Sequence, residues 1–224
     1  MQRSGFYLVV LVVLLAAGCS EDSNDSLPGT LNYSYFPVNV GHELIYDVTL
    51  ITKDVFTGND TAYYQLKEVV ESVFTDNQGR PTQRLERYTR ADTSQPWIIS
   101  DVWTVNMTPT LVEKKEENTT YIKMVFPLLD GKVWNGNSLN NLGSQDYSYT
   151  FVDQPYTMNT LSFDSTLRVL QVDDDNAVYT LHQEEIFAAG VGLVYKNQIN
   201  IQKDFPSGIK SQRLYTEKLI SWSN

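Results

Sequence analysis

Period-two alternation of apolar and polar residues runs through most of this chain and restricts its fold more than any other feature. The stretch "ELIYDVTLITK" puts Leu44, Tyr46, Val48 and Leu50 on one side of an extended segment, with Ile45, Asp47, Thr49, Ile51 and Lys53 on the other. Successive strand side chains point to opposite faces, so the pattern predicts a strand with one buried face. "AYYQLKEVVESVF" repeats it through Tyr64, Leu66, Val70 and Phe74, and "QPWIISDVWTVN" through Trp97, Ile99, Trp103 and Val105. Helical periodicity is scarce.

Short polar turns separate these segments. "TDNQGRP", Thr75 to Pro81, has the Asp/Asn-then-Gly chemistry of a hairpin turn, and "DDDN", Asp173 to Asn176, reads as another. "TLVEKKEEN" and "TTYIKMVFP" predict a further hairpin. The Gly- and Asn-rich segment Leu128 to Asp146 reads as a long loop. About ten strands joined in this way predict an all-β fold: a single curved antiparallel meander sheet or partly closed barrel. One such domain spans 35–224. Aromatics make up 12% of the chain, with 14 Tyr, enough to fill a core between strands.

The formal charge of −10 excludes a nucleic-acid role, since a phosphate backbone needs a basic footprint. A single cysteine, Cys19, excludes a disulfide-stapled fold. Its surroundings give it a use. Arg3 precedes an apolar run from Gly5 to Gly18, too short to span a bilayer and shaped like a secretory signal. The end of that run, Leu15-Ala16-Ala17-Gly18-Cys19, resembles the bacterial lipobox. The resemblance implies that residues 1–18 are removed and that Cys19 receives a diacylglycerol and an N-acyl chain. Each buried methylene contributes about 0.8 kcal/mol, so such an anchor is close to permanent. Residues 19–34, rich in Ser, Asp and Asn, read as a flexible lipidated tether. Within it, Ser20-Glu21-Asp22 resembles the acidic surface-export signal of Bacteroidota lipoproteins. That implies an outer-membrane location, facing the surface, with the periplasmic face as the alternative.

Three later segments resemble a group of uncharacterised lipoproteins from Bacteroidota: "YFPVNVGHELIYDV" (Tyr35 to Val48), "KMVFPLLDGKVWNGNSLN" and "EIFAAGVGLVYKNQINI". Leu44 departs from the aromatic common at that place in the group. No activity comes with the resemblance. Physically, Pro37 and Gly41 shape a turn into the first strand, and Tyr35 and Phe36 cover an open end of the sheet. Asp25-Ser26-Leu27, Asp60-Thr61-Ala62 and Asp164-Ser165-Thr166 resemble the O-glycosylation sequon of exported Bacteroidota proteins.

Candidate sites are few. His182 and Glu184 share a strand face and could meet a metal, but alternation favours a solvent-side polar face. His42 follows Gly41 in a turn. Consecutive carboxylates in "DDDN" lack the spacing of a calcium loop. Serine-nucleophile, phosphate-loop and dinucleotide signatures are missing, so no catalytic residue, metal or cofactor is called for. "WNGN" offers the best binding loop: Trp134 can stack on a sugar ring, with Asn135 and Asn137 bonding its hydroxyls. The competing reading makes Trp134 a plug in the barrel end. These observations favour a membrane-anchored, non-enzymatic binding or structural component of the cell envelope, with an apolar-ligand or lipid carrier as the concrete version. A glycan-acting hydrolase and an accessory subunit of an outer-membrane complex are the alternatives. The partners implied are the membrane, through Cys19, and an envelope protein or small ligand.

Overall fold

A computed structural model describes residues 31–204 and 208–224. The strands are β1 (Glu43–Asp54), β2 (Gly58–Thr75), β3 (Pro81–Arg90), β4 (Ile98–Met107), β5 (Leu111–Glu116) and β6 (Thr119–Val125). After these come β7 (Val133–Asn135), β8 (Asp146–Met158), β9 (Leu161–Asp175), β10 (Tyr179–Ala188), β11 (Gly192–Asp204) and β12 (Gly208–Ser223). Among the described residues the one helical element is a 3-10 turn, Tyr33–Tyr35, capped by the Asn32 side chain. The tether boundary expected after residue 34 therefore falls inside this turn.

All strands belong to one antiparallel sheet, ordered β6-β5-β4-β3-β2-β1-β12-β11-β10-β9-β8-β7. Every chain neighbour pairs with its neighbour except β6 and β7, and the first strand pairs with the last over its whole length. The sheet thus curls into a nearly closed barrel whose seam lies mid-chain, between β6 and β7. The Ile122 N–H donates across it to the Gly136 carbonyl at 2.9 Å. The Trp134 indole N–H returns a bond to the Ile122 carbonyl, also at 2.9 Å. Three residues on, Tyr149 Oη accepts from Val125 N–H at 2.8 Å and donates to its carbonyl at 3.0 Å. Side chains therefore do much of the work of joining these edges, whose polar groups would otherwise invite another strand.

Twelve strands form where about ten were expected. One addition comes from the segment read as a loop: Val133–Asn135 pairs with β8, and Leu128 and Trp134 in the same segment are buried. The alternation in β1 holds, with Leu44, Tyr46 and Val48 all inside. In β4 it breaks. Trp103 and Val105 are buried, but Ile99 is half exposed, because the register with β3 slips between Arg87 and Tyr88 and turns the start of β4 over. Two apolar clusters fill the barrel. One gathers Val70, Trp103, Met124, Trp134, Tyr149 and Phe187; the other gathers Tyr46, Leu66, Phe163, Ile186, Tyr215 and Leu219.

Candidate functional site

Charged side chains occupy inward positions on six strands. Glu68 lies between Leu66 and Val70, Arg87 follows Leu85, Lys114 follows Val112, Glu185 precedes Phe187, and Glu217 stands between Tyr215 and Leu219. Each shares the phase of apolar neighbours two residues away, so the strand pleat carries it into the barrel. Lys123 arrives differently. It is the extra residue where the β5–β6 register slips between Val112 and Glu113, and the bulge turns it inward between Ile122 and Met124.

Inside, these groups form ion pairs. Arg87 meets Glu217 at 3.0 Å and Glu68 at 3.5 Å, and its guanidinium lies 3.9 Å from the Trp103 ring centre. Lys114 bonds Glu68 at 3.0 Å. Lys123 bonds Glu185 at 2.6 Å and lies 3.7 Å from Glu116, while Lys196 approaches Glu185 at 3.6 Å. Burial alone would raise Glu116, but Lys123, Lys196, Lys114 and Arg87 outweigh it and push its carboxyl down to about 2. In Glu68 burial is likewise overcome, by Lys114 and Arg87, and the pKa is lowered. Burial opposes the charge of Lys123, yet Glu185 and Glu116 raise its pKa.

The direction of these shifts sets an acid limit. Folded-state pKa values below the unfolded ones mean that Glu68 and Glu116 contribute fully above the ordinary carboxylate range. That contribution is lost as pH falls through each lowered folded-state pKa, which for Glu116 lies at about 2. Thermal unfolding followed from pH 6 to pH 2 should show a falling Tm below about pH 4.5. Replacing Glu116 with Gln should flatten that fall, and an unchanged acid limb would refute the assignment.

All eight of these groups, four cations and four carboxylates, line one internal chamber of about 40 Å3. Phe36, Pro37 and Val38 line it as well. They belong to a strap that follows the 3-10 turn. Tyr35 fastens the strap, its hydroxyl bonding Asp153 at 2.5 Å and Ser165 at 2.6 Å. Burial, reinforced by Asp153, raises the Tyr35 hydroxyl to about 12, so it stays protonated as a donor. Four buried side-chain polar atoms lack a hydrogen-bond partner among the described residues: Gln83 Oε1, Arg87 Nε, Gln171 Nε2 and Glu185 Oε2. Gln83, Arg87 and Glu185 all belong to the chamber lining. Such atoms are costly when left unpaired, by about 1–3 kcal/mol each, and three of the four belong to side chains of this one wall.

The residues singled out from sequence fall elsewhere. Cys19, Ser20, Glu21, Asp22 and Ser26 lie outside the described residues. Trp134 is 9% exposed, packed against Tyr149 at 4.5 Å between ring centres, with its N–H committed across the seam. Asn135 Oδ1 accepts from the backbone N–H groups of Asn137 and Gln145, and Asn137 Oδ1 accepts from Asn140. Trp134 thus bonds across the seam, while Asn135 and Asn137 order the turn that follows β7. Gly136 is needed between them, since a Cβ there would lie 2.3 Å from the Tyr147 ring. His42 is buried, with Nε2 2.9 Å from the Val191 carbonyl. His182 sits between Asp173 (3.1 Å) and Glu184 (3.6 Å) at the sheet surface. Thr61 is exposed, whereas the Ser165 hydroxyl is engaged with Tyr35 and Asp153. Sequence reading passed over the chamber because charges on strands look like solvent-side residues. Their phase, shared with Leu85, Val112 or Phe187, was the signal that could have found them.

No protein-family model matches the chain, and no curated protein matches it. Two solved structures are similar in outline. One is a protein named as exported, with a YmcC-like fold, from Bacteroides fragilis NCTC 9343, at 13% identity and TM-score 0.36, covering 84% of this chain and 98% of that one. The other is named as a lipoprotein, from Parabacteroides distasonis ATCC 8503, at 12% identity and TM-score 0.35, covering 84% of this chain and 98% of that one. At TM-scores this low the likeness carries no argument about role.

Proposed function

We propose that this chain is a lipid-anchored envelope protein whose barrel binds a small polar ligand without transforming it. The charge-lined chamber, with three unpartnered polar atoms on side chains of its wall, is the observation that carries the binding role. Buried ion pairs are no more stabilising than well-packed apolar groups of the same volume, so eight charges around one cavity argue for a use beyond stability. The space is small and eight charged side chains share its wall with apolar ones, which favours a small polar guest over a lipid. Hydrolysis of a glycan is disfavoured by chemistry. A general acid needs a raised carboxyl pKa, and Glu68 and Glu116 are driven the opposite way.

Anchoring rests on the lipobox at Leu15–Cys19, and surface display on Ser20, Glu21 and Asp22. Substituting Cys19→Ala should move the protein from the membrane fraction to the soluble fraction of lysed cells. Persistence of the variant in washed membranes would refute a covalent lipid at Cys19.

A further inference from the structure

Arg87 lines two spaces. One is the closed chamber; the other is an open groove of about 550 Å3 that no other chamber residue reaches. We infer that this groove is a second binding site, for a neutral polyhydroxyl molecule of the sugar type, one of whose hydroxyls bridges Arg87 and Asp101. The inference does not depend on what the chamber holds.

Strand register builds the site. Arg87 on β3 stands directly opposite Asp101 on β4, and the slip just beyond them leaves Ser100 as an extra residue before Tyr88 meets Ile99. Opposite charges facing each other across two strands ordinarily attract into a direct pair. Here the guanidinium is drawn the other way. Its Nε and Nη2 edge faces Glu68 at 3.5 Å and Glu217 at 3.0 Å, both in the chamber wall. Nη1, at the opposite edge, stays 3.9 Å from Asp101 Oδ2, whose residue lines the groove and not the chamber. That separation is too long for a hydrogen bond. Nη1 has no hydrogen-bond partner among the described residues and, unlike Nε, is not sealed off from the surface. Arg87 as a whole is only 9% exposed, so this donor is what it shows to the groove. The Asp101 carboxylate, 30% exposed, also lacks a hydrogen-bond partner among the described residues.

A group seated between these two atoms has to accept from one and donate to the other. One oxygen at ordinary hydrogen-bond length from both fits a gap of 3.9 Å. A hydroxyl does this, accepting from Nη1 and donating to Asp101. A carboxylate guest would confront Asp101, and an ammonium has no lone pair for Nη1. Arg87 already answers Glu68, Glu217 and Asp101, which leaves no surplus positive charge for an anion. The other cation of the groove, Arg90, is committed: its Nε bonds Gln65 at 2.8 Å and its guanidinium lies 4.1 Å from the Trp97 ring centre. Thr89, two residues on from Arg87, adds to the lining a hydroxyl with no partner among the described residues. A second hydroxyl on the guest meets it, which a simple amide cannot supply. Tyr64 and the exposed Ile98 line the same groove and suit the C–H face of a sugar ring. The volume lies within the range of small-molecule sites.

Saturation-transfer NMR on the full chain in detergent tests this, with glucose, myo-inositol, acetamide and acetate as probes. At least one of glucose and myo-inositol is expected to receive saturation, and acetamide and acetate to receive none. Asp101→Leu removes the acceptor and should weaken the bound sugar or inositol by at least about tenfold. Asp101→Asn keeps an acceptor and should lose less, and Thr89→Val should weaken binding by removing one hydroxyl alone. Thermal unfolding of each variant verifies the fold. Silence from both glucose and myo-inositol would overturn the site and leave the reading of the chamber untouched. Acetate binding that Asp101→Asn strengthens would overturn the polyhydroxyl guest in favour of an anion, and acetamide bound as well as glucose would do so in favour of an amide. Binding indifferent to Asp101→Leu would overturn the assignment to this groove.

Discussion

Replacing Lys123 with Met is expected to destabilise the barrel by about 3–5 kcal/mol, the cost of removing one member of a buried ion pair. The ammonium is 2.6 Å from Glu185 and 3.7 Å from Glu116, and its side chain is 7% exposed. Without it, Glu116 loses its nearest cation, and Glu185 keeps only Lys196 at 3.6 Å. The apolar stem of Met fills nearly the space of the Lys stem, so the loss is electrostatic rather than a cavity effect. Urea unfolding should show a lower midpoint with an unchanged slope. The double substitution Lys123→Met, Glu185→Leu removes both charges and should recover part of the loss, because a buried pair exchanged for apolar groups is often neutral. A single variant as stable as the parent would mean that water already reaches Lys123. A double variant worse than the sum of the singles would mean that Glu185 serves mainly Lys196.

The same residue shows where the sequence could be read and where it could not. Leu44, Tyr46 and Val48 alternate without interruption, and the strand they predict is the strand that forms. Lys123 sits between Ile122 and Met124, and in an unbroken strand it would face solvent. Only the slipped register with β5 sends it inside. A bulge is a property of two strands together, so no single-strand pattern announces it. Ile99 fails for the same reason in the opposite sense, an apolar residue turned out by a slip against β3. Glu185 differs from both. Its phase with Phe187 was legible, but a carboxylate next to Glu184 and near His182 reads as part of a wet face, because burying it is expensive unless a cation is waiting. Of those cations, Lys123 comes from β6, 62 residues away, while Lys196 stands directly opposite Glu185 in the β10–β11 hairpin, a pairing that shows only once the register is set. The tight turns were accessible because Asp, Asn and Gly act locally: Asp76 accepts from the Gln78 and Arg80 N–H groups as the "TDNQGRP" stretch implies. The short strand at Val133–Asn135 was hidden by that same turn chemistry, its Gly and Asn neighbours masking three paired residues.

Substitution of Trp134 by Ala should cost about 3–5 kcal/mol, which for a domain of this size lowers Tm by about 6–20 °C. Three losses combine. The indole fills space against Tyr149 and Tyr147, at 4.5 and 5.9 Å between ring centres. Its N–H occupies the Ile122 carbonyl. It also holds β7 against the edge of β6, where the Ile122–Gly136 bond is backbone pairing across the seam. Trp134→Phe separates these effects, since it keeps most of the packing and gives up the indole donor, for a loss nearer 1 kcal/mol. Hydrogen exchange identifies the seam directly. In Trp134→Ala the amides of Ile122 and Val125 should exchange faster than those of β1 and β12, whose continuous ladder in the opposite wall does not depend on the indole. If instead all strands gain exchange equally, the barrel opens as one unit, and the Tyr149 and Gly136 bonds hold the seam until the whole sheet unfolds.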